Sequence, residues 1–116
     1  MTLNEAKQTV VALVPRECRS AAIAYIDETP YELGETISID GRGESAGDRV
    51  FLGFIDCEAG SDWAHRCMYV RCHLADDRVE AVEGRLPPRL HGTGRRFRVA
   101  AIGPRVSTGK TLTGLF

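Results

Sequence analysis

This 116-residue chain has no apolar run approaching the ~20 residues that a membrane-spanning helix needs, which argues against a membrane partner. It also lacks an excess of either charge. Fifteen Lys and Arg stand against 16 Asp and Glu, a formal net charge of −1. General binders of nucleic acid or anionic membranes carry a clear basic excess, so neither class suits the chain as a whole. Cysteine is sparse. Cys18, Cys57, Cys67 and Cys72 are even in number but fall far short of a disulfide scaffold. A secretory pattern is missing too, because Glu5 and Gln8 interrupt the stretch where an apolar signal core would run. These absences lead to the expectation of a cytoplasmic protein with four free thiols. No internal repeat and no interdomain linker divide the chain. Apolar residues make up 43% and charged residues 27%, as in ordinary globular domains, and the length suits one core.

What is present begins with a helix. Thr2-Leu3-Asn4-Glu5 has the form of a capping box, and Leu3, Ala6, Val10, Leu13 and Val14 follow at helical spacing. Pro15 ends the ladder by Val14. Residues 16–27 fit either element: Ala21 and Ala22 suit a helix, while Ile23, Tyr25 and Ile26 suit a strand. A strand over about 22–27 is preferred. Residues 35–40 alternate, with Ile37 and Ile39 on one face, and a glycine-rich loop is expected over 41–48. Residues 49–56 are apolar on both faces, the mark of a central strand.

The segment 65–74 places Met68, Val70, Cys72 and Leu74 on one face and Cys67, Tyr69, Arg71 and His73 on the other. Asp76-Asp77 reads as a two-residue turn into 79–86. That turn sets Leu74 opposite Val79 and Cys72 opposite Ala81, and requires a bulge near Glu83-Gly84. Residues 97–103 make a last strand. The fold class is therefore α+β, a helix packed on a curved, mainly antiparallel sheet of five or six strands. A small open barrel with a helix is the alternative. The domain spans residues 1–103, and 104–116 form a C-terminal tail.

Two motifs imitate known chemistry. Gly43-Glu44-Ser45-Ala46-Gly47 matches the nucleophile elbow, but that motif needs a strand-to-helix turn, and a strand follows here. The segment 103–111 resembles a phosphate-binding loop with one residue too many and no helix after it. A third grouping is harder to dismiss. Cys57, Asp62, Trp63, His65 and Cys67 gather the single Trp with thiols and an imidazole. Cys67 or Cys57 can act as a nucleophile if His65 deprotonates it, with Asp56 or Asp62 orienting the ring. Cys57, His65 and Cys67, with Asp62 as a fourth, are also the feasible metal ligands, although the paired C-x-x-C spacing of strong zinc sites is missing. Against both readings stands the ordinary role of free cysteine as a small buried apolar side chain.

The second local bias is basic. Arg85, Arg89, Arg95, Arg96, Arg98 and Arg105 fall within about twenty positions, but only Phe97 lies among them as an aromatic, too few for stacking nucleic-acid bases. The preferred function is a protein-interaction module without catalytic activity or cofactor. Its binding residues are expected among Arg89, Arg95, Arg96 and Arg105 and the terminal apolar pair Leu115 and Phe116. The partner is a protein of unknown identity, and homo-oligomers stay open. A small cysteine- or metal-dependent enzyme centred on Cys57, His65 and Cys67 is the alternative. An RNA- or phosphate-binding domain using residues 85–105 is the second alternative.

Overall fold

Thr2 opens the first element as its sequence requires. Its hydroxyl accepts from the Glu5 N–H at 3.1 Å, and the Glu5 carboxylate accepts the Thr2 N–H at 2.9 Å. Helix α1 then runs Leu3–Ala12, with Ala6 and Val10 buried on one side. The computed structural model describes residues 1–59 and 65–106. After Pro15 the ambiguous stretch divides. Arg16–Ala21 forms a 3-10 helix, and Ile23–Asp27 forms strand β1, buried along its whole length.

Among the described residues six further strands follow: β2 Thr36–Ile39, β3 Arg42–Ser45, β4 Val50–Asp56, β5 Cys67–His73, β6 Val79–Gly84 and β7 Phe97–Ile102. Five of the seven build one antiparallel sheet in the order β6-β5-β4-β1-β7, and β2 and β3 pair separately. The sheet is open at β6 and β7, so it is not a barrel, and the fold is α+β. No helix among the described residues is long and apolar enough to cross a membrane.

The sheet is covered on both faces, which explains why β4 shows no polar alternation. One face carries Ala24, Ile26, Phe51, Ile55, Val70 and Cys72 and receives α1. The helix comes closest at Gly53, where an added Cβ would lie 2.4 Å from Val10 Cγ2. The opposite face carries Tyr25, Leu52, Phe54, Tyr69 and Phe97, and it is covered by Ile37 and Ile39 of the hairpin with Leu90. All seven residues of β4 are buried between the two layers.

Two expectations are corrected. The glycine-rich segment 41–48 is not a plain loop, because Arg42–Ser45 pairs with Thr36–Ile39. Asp40 and Gly41 adopt φ of 50° and 78°, the two left-handed positions that a two-residue hairpin turn needs. The later hairpin is longer than the Asp76-Asp77 reading requires. His73 N–H bonds Arg78 C=O at 2.9 Å, so residues 74–77 form a four-residue loop, and Cys72 stands opposite Val79. Val70 therefore meets Ala81 instead of Glu83, and the pairing of β5 with β6 runs without a bulge. The register irregularity lies elsewhere, between Ala24 and Tyr25 where β1 meets β7.

Candidate functional site

The cysteine–histidine group comes from the end of β4 and the entry to β5. Asp56 stands directly opposite Cys67 across the two strands. Asp56 also holds His65, with Nε2 to Oδ1 at 2.7 Å and both side chains buried. Of the two carboxylates anticipated as orienting partners of His65, Asp56 is thus in place. The thiols behave differently. Cys67 Sγ donates to the Leu86 carbonyl at 3.5 Å, and burial pushes this thiol up to about 12, with the charges of Asp40 and Asp56 adding to the effect. Cys57 lies in the core on the helix face, while Cys67 belongs to the core on the opposite face. Burial and the neighbouring Cys18 thiol push Cys57 up to about 12 as well. Nucleophilic attack and metal ligation both use the thiolate, which these surroundings disfavour. Cys57, His65 and Cys67 therefore do not converge on one point. All four cysteines are free thiols, and Asp62 and Trp63 lie outside the described residues.

The arginines divide into one that is committed and several that are not. Arg95 is built into the fold. Its guanidinium lies 3.2 Å from Asp27 and 3.0 Å from Glu35, donates to the carbonyls of Thr29 and Pro30, and stacks 3.6 Å over the ring of Tyr31. Arg96 and Arg105 are exposed and meet no carboxylate among the described residues. Arg98 reaches only to 3.8 Å from Glu28. Arg89 edges a cavity of about 340 Å³ between the β2–β3 hairpin and the segment after β6, together with Arg42, Arg95, Tyr31 and Ser38. Leu115 and Phe116 lie outside the described residues. Pro104–Val106, where the tail was expected to begin, returns over the 3-10 helix: Arg105 N–H bonds Ser20 C=O at 2.9 Å, and Val106 packs on the core.

Three features escape a reading of the sequence. Arg42 joins the Arg89 cavity only because Asp40-Gly41 folds the chain back, a turn signal present in the sequence. A second cavity of about 340 Å³ runs between the end of α1 and β7, lined mainly by apolar side chains. Finally, Asp48, His73 and Asp76 bring one potential ligand atom each to within 4.8 Å of one another. His73 also meets Glu80 at 2.5 Å, and the Arg78 guanidinium lies 3.3 Å from His73 Nδ1. The His73 ring thus lies against the carboxylates of Asp48 and Glu80, with the Arg78 guanidinium on the ring itself.

The chain matches no protein-family model, no curated protein and no solved structure.

Proposed function

We propose that this domain is a protein-interaction module that takes an extended, acidic segment of a partner protein along the free edge of β7. The observation that carries this reading is the edge itself. Among the described residues β7 is bonded to β1 on one side only, and Val99 and Ile102 are 45% and 43% exposed. An unpaired edge strand offers a row of backbone donors and acceptors to an added strand, and adjacent apolar hollows give that strand its specificity. Such a hollow lies beside this edge, lined by Val11, Val14, Ala22, Ala101, Ile102 and Pro104. Several exposed cations lie nearby, and Glu28 reaches only Arg98 among them, at 3.8 Å. Arg19 donates only to the Val14 carbonyl, and Arg96 and Arg105 lack carboxylate partners among the described residues. These cations favour a segment carrying Asp or Glu beside its apolar residues. The opposite edge is less suitable, because β6 carries Glu80 and Glu83 and acidic edge residues resist strand addition. Four free thiols suit a reducing, cytoplasmic setting for such a module.

The test is selection of peptides from a random display library by the full chain, followed by hydrogen exchange on the complex. The expected winners alternate apolar residues with Asp or Glu and slow exchange in residues 98–102. Ile102→Glu or Arg98→Glu should weaken the selected peptide by about tenfold, the order expected for losing a buried apolar contact or a charge pair at an interface. Binding that survives both changes would overturn the reading. So would protection of β7 that depends on protein concentration, which makes a second copy the occupant. Protection that is lost when the chain is cut after Val106 would make the chain's own terminus the occupant, with the same consequence.

A further inference from the structure

We propose that the cavity between the β2–β3 hairpin and the segment 85–95 binds a small phosphate monoester, with Arg42 and Arg89 as the cationic pair that receives the phosphoryl group. This site is separate from the β7 edge, and neither reading depends on the other.

The walls of the cavity are fixed before any ligand arrives. At one end Asp40 Oδ1 accepts the N–H groups of Arg85 at 2.8 Å and Leu86 at 3.0 Å, and Ser38 Oγ accepts the Arg89 N–H at 3.0 Å. Gly41 closes this corner. A Cβ there would lie 2.9 Å from the Leu86 side chain, and the left-handed φ already favours glycine. At the other end Arg95 ties the segment to Asp27, Glu35 and the carbonyls of Thr29 and Pro30. A site anchored at both ends loses little freedom when a ligand binds.

Its charge is unbalanced in one direction. The acid lining the cavity is Glu35, which Arg95 already engages, and Asp27 stands behind that pair. Arg42 and Arg89 meet no carboxylate among the described residues and leave two positive charges facing the cavity. A phosphate monoester carries about −1.5 to −2 near neutrality and presents three acceptor oxygens, which suits two guanidinium forks. Hydroxyl donors complete the set. Ser38 Oγ accepts from Arg89, so its own proton can point into the cavity. Tyr31 is 5% exposed, and its hydroxyl has no hydrogen-bond partner among the described residues. Among the described residues no polar side-chain atom sealed from solvent is left unpaired, so the Tyr31 oxygen keeps contact with solvent, and Tyr31 lines the cavity. Burial pushes that phenol up to about 12, which keeps it a donor.

Size and surface choose among phosphate carriers. A volume of about 340 Å³ is at the small end of ligand pockets, enough for a phosphorylated sugar. A nucleobase would need an aromatic face to stack on, and the face of Tyr31 is covered by Arg95 at 3.6 Å. The chemistry therefore points away from nucleotides and RNA.

The experiment is calorimetric titration of the full chain with ribose 5-phosphate, inorganic phosphate, malate and a phosphoserine peptide. Ribose 5-phosphate should bind saturably and more tightly than inorganic phosphate. Arg42→Gln and Arg89→Gln should each weaken it about tenfold, as loss of one charge-assisted hydrogen-bonding group implies. Arg16→Gln, on the 3-10 helix and outside the cavity, should leave the affinity unchanged. No saturation by about 10 mM, an affinity too weak to count as a site, would overturn the proposal. Malate binding as tightly would make this a dicarboxylate site, and binding by the phosphopeptide alone would make it a protein-recognition site. An equal loss in Arg16→Gln would reduce the effect to diffuse charge. Each of those three results would also overturn it.

Discussion

Cys57, Cys67 and Cys72 sit where water cannot solvate a thiolate, and burial pushes their thiols up to about 12, 12 and 11. The linkage to stability has a definite sign. An unfolded cysteine titrates near ~8.5, so each thiol holds its proton more tightly in the folded state. The stability this contributes is complete below the unfolded value and is lost as pH rises through the folded one. Urea midpoints should therefore fall from about pH 9 upward, and alkylation of the native protein by iodoacetamide should stay slow at that pH. A midpoint that holds steady to about pH 10, or rapid alkylation at neutrality, would show that at least one of these thiols is not buried as described. The histidine nearby shows what a sequence reveals at this scale. Asp56 was nameable, with Asp62, as a partner of His65 because both are close to it along the chain. The role of Arg95 was not, because Asp27, Tyr31 and Glu35 reach it only after the sheet has formed.

Local chemistry made some elements plain and left others hidden. The capping box at Thr2 and the doubly apolar β4 announce themselves, because one end cap and one burial pattern each dictate a single structure. Asp40-Gly41 carries an equally strong hairpin signal, but the glycines and charges after it resemble a loop, and Arg42–Ser45 is only four residues long. The β5–β6 turn failed for a different reason. Two loop lengths differing by two residues keep the same faces inward, so alternation alone cannot separate them. The contact between α1 and β4 is an element-scale device that no pattern shows. Val10 occupies the space a side chain would need at Gly53, at 2.4 Å from its ideal Cβ position. Gly53→Ala should destabilise the fold by about 1–3 kcal/mol through overpacking, because a β-branched valine on a packed helix cannot swing aside. The double variant Gly53→Ala, Val10→Ala should lose less than the two single losses added together. Strict additivity in denaturant titrations would mean that the helix does not press on this strand.

Across the whole molecule, β4 is the member that both layers share. Val50, Leu52 and Phe54 belong to the core under the hairpin, and Phe51 and Ile55 belong to the core under α1. Neither core closes without the strand, and the strand is buried only while both layers are present. The two cores should therefore melt together although they share no face of the sheet. Ile37→Ala opens a cavity in the hairpin layer, and Val10→Ala opens one in the helix layer; each should cost about 2–4 kcal/mol as a large-to-small core change. Helical ellipticity and the near-ultraviolet signal of the tyrosines report mainly on opposite faces, since Tyr25, Tyr31 and Tyr69 all lie in the hairpin-side core. In either variant the two signals should follow one shared transition at a lower midpoint. If Ile37→Ala shifts the tyrosine signal and leaves the helix signal at the parent midpoint, the layers unfold separately. β4 would then be a surface on which two independent units rest, and burial on both sides would not be what makes this chain cooperative.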